Sequence, residues 1–309
     1  MKINNSDEVY VYKTTQDPDS MRQSVDDILK SIKFKDPFSV INIKPNLCYY
    51  WKSSTGYTTD PRLVSTIIDS VREQYGDEIE INVVEADASG MRTKYVFPML
   101  DYTKLSKEKN VNLINLSKVE SVRKELTING HKIKLKLPKM LVQDNNILIN
   151  VPKFKLMKET HITCALKNIF GCIATPRKIV YHKYLNETIV AVNKFIQTDA
   201  VIVDGLVALE NKPFNLNMVM GGKNAFSVDY IVSKIVGYNP NSVGHIKLAQ
   251  NEGLGDPKRI KIIGDPIDQF KFPKINNTIS KHSFKILLRL LRIYSKIVGD
   301  VIPPMFETI

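Results

Sequence analysis

Ile147 to Val151 and Ala200 to Val203 are near-continuous apolar runs, and amphipathic stretches of helical length separate such runs along the chain. A strand apolar on both sides must be covered on both faces, which is the condition of a parallel sheet layered with helices. This pattern predicts an α/β fold, a largely parallel sheet flanked by helices. Leu126-Thr-Ile-Asn-Gly-His-Lys-Ile-Lys-Leu adds a small antiparallel hairpin turning at Asn129-Gly130.

The predicted order begins with strands Val9–Tyr12 and Ser39–Lys44, between which Ser20 caps a helix reaching Ile32. Asp60 and Pro61 open the next helix as N-cap and first residue, and it stops near Gly76. Strands at 79–85 and 111–116 come before the hairpin. Ile147–Val151 ends at Pro152, and Lys153, Lys155 and Lys158 follow in a loop. Thr160 caps a helix to Phe170, and Gly171 suits a left-handed C-terminal cap. Further helices read over 182–197, from Asp229 to Val236 and from Ser242 to Asn251, with a last strand at 259–263. On the helix before Gly171, Ile162, Ala165, Leu166, Ile169 and Phe170 share one face. Thr163, Cys164, Lys167 and Asn168 fill the other, with His161 at its margin. A solvated face would carry i,i+4 ion pairs, so this polar face reads as the wall of a site.

Ligands of parallel sheets bind outside the carboxyl ends of the strands. Lys44 and Asn46, Glu85 and Ser89, Lys153 and Lys155, and Asp204 all stand at such ends, beside Thr163, Lys167 and Asn168. Repeated lysines near helix N-termini predict a pocket for a small anionic molecule carrying phosphate or carboxylate. The competing reading is a set of solvated loop lysines. Lys44, Lys153, Lys155 and Lys167 would hold the anion, and Asn46, Thr163 and Asn168 would orient it. His161 is the candidate acid/base group, with Lys167 beside it in the catalytic set. A metal would need Glu85, Asp87, Asp204 and His161 to converge, and no metal or other cofactor is assigned. Cys164 as nucleophile lacks an activating partner beyond one histidine.

The 309 residues carry a net charge of +12, unevenly placed. Residues 270–299 hold seven of the basic residues and no acid, leaving a mildly basic body that argues against nucleic acid. The chain therefore divides into an α/β domain over 1–272 and a basic tail over 273–309. From Lys281 to Val298 a helical plot puts Lys281, Lys285, Arg289, Arg292 and Lys296 on one stripe against a broad apolar arc. That pattern serves a helix on an anionic membrane surface, or one packed on the body or in a homodimer. Three scattered cysteines without C-x-x-C, and a start lacking an apolar h-region, point to a cytoplasmic protein, with membrane contact peripheral.

Lys44-Pro45-Asn46, Thr59-Asp60-Pro61, Asn150-Val-Pro-Lys153, Lys155, His161-x-Thr163-x-x-x-Lys167-Asn168-x-x-Gly171 and Asp204-Gly205 together resemble the family called domain of unknown function 362. The likeness covers roughly residues 38–255. It implies a fold neighbourhood more than a reaction, because the family is largely uncharacterised. Many members carry a ferredoxin-type cluster domain, whose cysteines this chain lacks. The family pattern also places a Gly-rich turn after Asp-Gly, where this chain has Glu210-Asn-Lys-Pro-Phe214. The helix segment is more faintly similar to the lysine-bearing segment of nickel-pincer lactate racemases. There Lys153 or Lys167 with His161 would be analogous, implying racemase or epimerase chemistry. Two functional readings follow: an enzyme acting on a small anion, or a non-catalytic accessory protein docking on a membrane or partner. An enzyme predicts a closed pocket where a carboxylate or histidine meets the lysines; a docking protein predicts an open basic surface.

Overall fold

The fold is described from a computed structural model, over residues 7–143 and 146–272. The first two βα units follow the sequence closely. Strand β1 (Asp7–Lys13) leads to α1 (Pro18–Ser31), and β2 (Val40–Pro45) leads to α2 (Pro61–Tyr75). Asp60 caps α2 as expected, accepting the amide of Arg62. α1 is capped by Asp17, not Ser20, because the Asp17 carboxylate reaches the amides of Asp19 and Ser20 and Pro18 takes the first position. Strand β3 (Glu80–Glu85) is followed by two short helices, α3 (Thr93–Met99) and α4 (Tyr102–Glu108), and then β4 (Asn112–Asn115). The expected hairpin is β5 (Ser121–Ile128) with β6 (His131–Pro138). It turns through Asn129 at φ 49° and Gly130 at φ 75°, the positive pair a tight two-residue turn requires.

The central stretch differs from expectation. β7 (Asn146–Val151) runs into β8 (Lys153–Met157), which pairs antiparallel with β9 (His161–Thr163). Two of the three lysines expected in a loop, Lys153 and Lys155, thus lie in a strand, alternating with Phe154 and Leu156, while Lys158 lies in the turn after it. The helix is short, α5 (Ala165–Phe170), and begins after Cys164, so Thr160 is not its cap. In its place Asp229, from a distant helix, accepts the amides of Ala165 and Leu166 at 2.7 and 2.9 Å. Gly171 is right-handed, at φ −59°. Its glycine requirement is close approach: a Cβ there would meet Asn168 O at 2.9 Å and Lys44 Nζ at 3.4 Å.

The remaining elements are α6 (Leu185–Phe195), β10 (Ala200–Leu209), β11 (Pro213–Gly222), α7 (Ala225–Val236), α8 (Gly244–Asn251) and β12 (Ile260–Gly264). His182 precedes α6, in a 3₁₀ stretch over Lys178–Tyr184. Helix α7 starts at Ala225, capped by Asn224, which places Asp229 inside it. The main sheet has the order β12-β1-β11-β10-β7-β2-β3-β4, with β8 also paired to β10 and β9 paired to β8. The pairs from β10 through β7, β2, β3 and β4 are all parallel, and β11 is antiparallel to both its neighbours. One core, with α1 to α4, lies on one face; the other, with α5 to α8 and the hairpin, lies opposite. Successive residues alternate between them: Ile147 and Ile149 enter the first, Leu148 the second. The basic stripe over 281–298 lies outside the described residues.

Candidate functional site

The carboxyl ends of β2, β3 and β8 surround a cavity of about 270 Å³. Its lining contains eight of the residues singled out in the sequence: Lys44, Asn46, Glu85, Ser89, Lys155, Thr163, Lys167 and Asn168. Lys153, Asp204 and His161 are not among them. Lys153 and Asp204 face each other as register partners of β8 and β10, with Nζ 3.0 Å from both carboxylate oxygens and neither side chain exposed. Asp204 also accepts the amides of Asp60 and Leu206. Its charge and that of Lys153 are spent on each other and on the backbone, so neither is available to an anion. His161, at φ 60°, lies against Tyr238, with ring centroids 5.7 Å apart. The acid/base role expected of it has no place in the cavity lining.

The asparagines are framework. Asn168 donates to Lys44 O and Asn150 Oδ1 and accepts from Asn46 Nδ2, while Asn150 donates to Ala165 O. This chain ties α5 to the ends of β2 and β7. Thr59 does the same on the other side, accepting the Asn46 amide and donating to Val151 O.

The four lysines of the lining have different partners. Lys44 donates to Glu85 Oε2 at 2.8 Å, and that carboxylate also accepts the amides of Leu47 and Ala86. Lys155 is held by neutral groups, Asn46 Oδ1, Tyr57 O and Cys48 Sγ. Lys178, absent from the sequence candidates, donates to the Asp87 carbonyl; burial pushes its pKa down to about 8. Lys167 makes no hydrogen bond or ion pair among the described residues, and burial lowers its pKa as well. Against these four cations the lining holds two carboxylates, Glu85 and Glu159. With Glu85 matched to Lys44, the cavity keeps a surplus of positive charge in a confined space, where Coulomb attraction for an anion exceeds that of an open surface.

Glu159 and His182 form a second group the sequence did not reveal. Glu159 Oε1 lies 2.8 Å from His182 Nδ1, both half-buried at the lining. A carboxylate on Nδ1 fixes the tautomer, stabilises the imidazolium and leaves Nε2 to exchange protons. Nothing in the spacing of residues 159 and 182 announces this pair. The one available sign was a histidine in the cation-rich Pro176–Tyr184 stretch that follows the candidate helix. Cys164 is buried, and burial with nearby Asp229 drives its thiol pKa well up, which removes it as a nucleophile. Among the described residues no group of three or more His, Cys, Asp or Glu side chains gathers as a metal ion would need.

A larger cleft, about 860 Å³, lies at the amino end of β10. Its lysines, Lys33, Lys194 and Lys223, are matched by Asp7, Glu8 and Glu252, and Lys194 pairs with Glu252 at 2.7 Å. It lacks the charge surplus of the smaller cavity, and it lies at the end of the parallel strands where such sheets do not place their ligands.

The profile of the family described as Domain of unknown function (DUF362) matches residues 41–234, well over half of the chain and including every lysine of the cavity. A thylakoid-associated protein of Synechocystis is 24% identical over 152 residues, covering 43% of this chain and 47% of the relative. The chain thus spans less than half the length of that relative. A crystal structure of a Thermotoga maritima protein aligns with 76% of this chain and 59% of its own, at 10% identity and a TM-score of 0.41.

Proposed function

Since this chain belongs to the Domain of unknown function (DUF362) family, a membership that brings no reaction with it, we propose a function from the cavity: an enzyme that binds a small phosphate- or carboxylate-bearing molecule and moves a proton on it. The observation that carries this reading is the set of Lys155, Lys167 and Lys178, in excess over the one lining carboxylate left once Glu85 is matched to Lys44, namely Glu159 paired with His182. In this reading the lysines neutralise the ligand. His182 exchanges the proton, in place of His161, and Glu159 orients the ring through Nδ1; general acid–base catalysis is typically worth about 10²–10⁴ in rate. An open basic surface, which the accessory reading requires, is a poorer description of a cavity whose lining holds the buried Lys44, Lys155 and Lys178 and the partly buried Lys167.

Inorganic phosphate tests the site. A ligand at about a hundred times its dissociation constant adds about 2.7 kcal/mol to stability, so the melting temperature of the full chain should rise with the logarithm of phosphate concentration. Lys167→Ala should remove the rise, and His182→Asn should keep it. A wild-type chain indifferent to phosphate, or a Lys167→Ala variant that responds normally, would sink the reading.

A peripheral membrane location is a second reading, supported by the thylakoid-associated relative and by the basic stripe over 281–298. No helix among the described residues is long and apolar enough to cross a membrane, so contact would be at the surface.

A further inference from the structure

The four cavity lysines separate into three that are tied and one that is not. Lys44, Lys155 and Lys178 each donate to a protein oxygen. Lys167 has no such acceptor among the described residues. Its Nζ stands 4.3 Å from the centroid of the Phe170 ring, in a cation–π contact. Against that contact act burial, the largest cause, and the nearby charge of Lys155, with Glu159 opposing; the net effect lowers the pKa of Lys167. A desolvated amine beside other cations is the form in which lysine becomes a nucleophile near neutral pH.

The same Phe170 ring also contacts the His182 ring, with centroids 6.0 Å apart in an edge-on arrangement. The untied amine and the histidine–carboxylate pair therefore share one aromatic support inside one cavity. Lys155 and Lys178 remain to hold an anionic group while the amine does something else.

Resting on the anion pocket proposed above, we propose that Lys167 captures the carbonyl carbon of a small anionic aldehyde or 2-oxo acid as an imine. The neutral Nζ attacks the carbonyl carbon, forming the C–N bond as the C=O π pair moves onto oxygen. His182 takes a proton from the nitrogen and returns it to that oxygen. The nitrogen lone pair then expels the oxygen, and the second amine hydrogen completes a water molecule. Both hydrogens of the water come from the amine, and no oxidant or reductant is consumed. The imine draws electrons from the adjacent carbon, whose proton His182 can then exchange.

Glyoxylate with sodium cyanoborohydride reads this step directly, because reduction turns the imine into a stable carboxymethyl-lysine. The full chain, labelled near pH 8 and mapped by peptide mass spectrometry, should carry a single saturating adduct at Lys167. Inorganic phosphate should suppress it, Lys33→Arg in the larger cleft should retain it, and Lys167→Arg should lose it. Lys167→Arg keeps the charge but cannot form the imine, so its melting temperature should still respond to phosphate, which also reports that it folds. Labelling spread evenly over the lysines, or an equal adduct persisting in Lys167→Arg, would overturn the proposal. A chain stabilised by phosphate yet never labelled at Lys167 would overturn the imine and leave the anion pocket standing. A chain neither stabilised nor labelled would overturn both.

Discussion

Lys153 and Asp204 are both fully buried, so each supplies the charge that compensates the other for the loss of water, with two backbone amides adding to it on the Asp204 side. Removing one partner leaves a buried charge, a change that typically costs about 3–5 kcal/mol, whereas an apolar pair of similar volume is often tolerated. Lys153→Ala should therefore lower urea stability by that amount, and Lys153→Met with Asp204→Leu should recover most of it. A single variant as stable as wild type would mean that the pair is not closed in solution. Asp229 and His245 form a second buried couple, 3.9 Å apart. Burial pushes Asp229 up to about 7, against the amides of Leu166 and Ala165. Its folded state keeps a proton that the unfolded chain releases near 3.8, so its contribution to stability falls as pH rises between those values. Burial drives His245 down to about 3, and the unfolded chain takes a proton near 6.5 that the folded one refuses. That contribution falls as pH falls. Over about pH 4 to 6.5 the two slopes oppose, each approaching 1.4 kcal/mol per pH unit. Relative to wild type, His245→Leu should gain stability as pH drops from 7 to 4 and Asp229→Asn should lose it, measured by urea midpoints at each pH. Parallel pH profiles in all three proteins would refute the balance.

At the scale of elements, the cavity depends on one hairpin and one short helix. β8 and β9 carry Lys155 and Thr163 to the lining as register partners, and α5, six residues long, carries Lys167 and Asn168. A helix this short has little stability of its own, and it is held by Asp229 at its start and by the asparagine chain along its side. The basic stripe from Lys281 to Lys296 lies outside the described residues, and the expectation for it comes from the sequence. Each basic residue near an anionic leaflet contributes about 1 kcal/mol. The full chain should float with anionic vesicles, weaken as salt is added and ignore neutral vesicles, while a chain ending at residue 272 should bind neither. Equal flotation of both proteins would remove the membrane from the account; loss of folding in the shorter one alone would assign the segment to packing.

Across the whole molecule, the sheet is protected from its centre outward. β10, β7 and β2 are paired on both sides and covered on both faces, whereas β4 and β12 close the edges, and β12 is largely open to solvent. Native-state hydrogen exchange should therefore leave the amides of Ile41, Ile43, Ile149 and Val203 as the last to exchange, and those of β12 among the first. Early exchange of β7 would contradict the central position of the strand that leads into the cavity.

Hydrophobic pattern and turn chemistry are local properties, and they were legible in the chain. The apolar runs of β7 and β10, the Asp60-Pro61 helix start, the Asn129-Gly130 turn and the gathering of polar residues at strand ends all follow from neighbours within a few positions. Read beside one another, Lys44-Pro45-Asn46 and Lys167-Asn168 also carried the family resemblance. What the tertiary structure alone decided is which charges cancel. Lys153 and Lys155 are two residues apart in one strand, yet the first faces Asp204 and is neutralised, while the second meets only neutral acceptors and lines the cavity. The pairing of Glu159 with His182, the capping of α5 by Asp229 and the burial of β8 lysines in a strand that resembled a loop are of the same kind. The reason is physical: Coulomb attraction and the cost of desolvation depend on distance and burial, which separation along the chain does not encode.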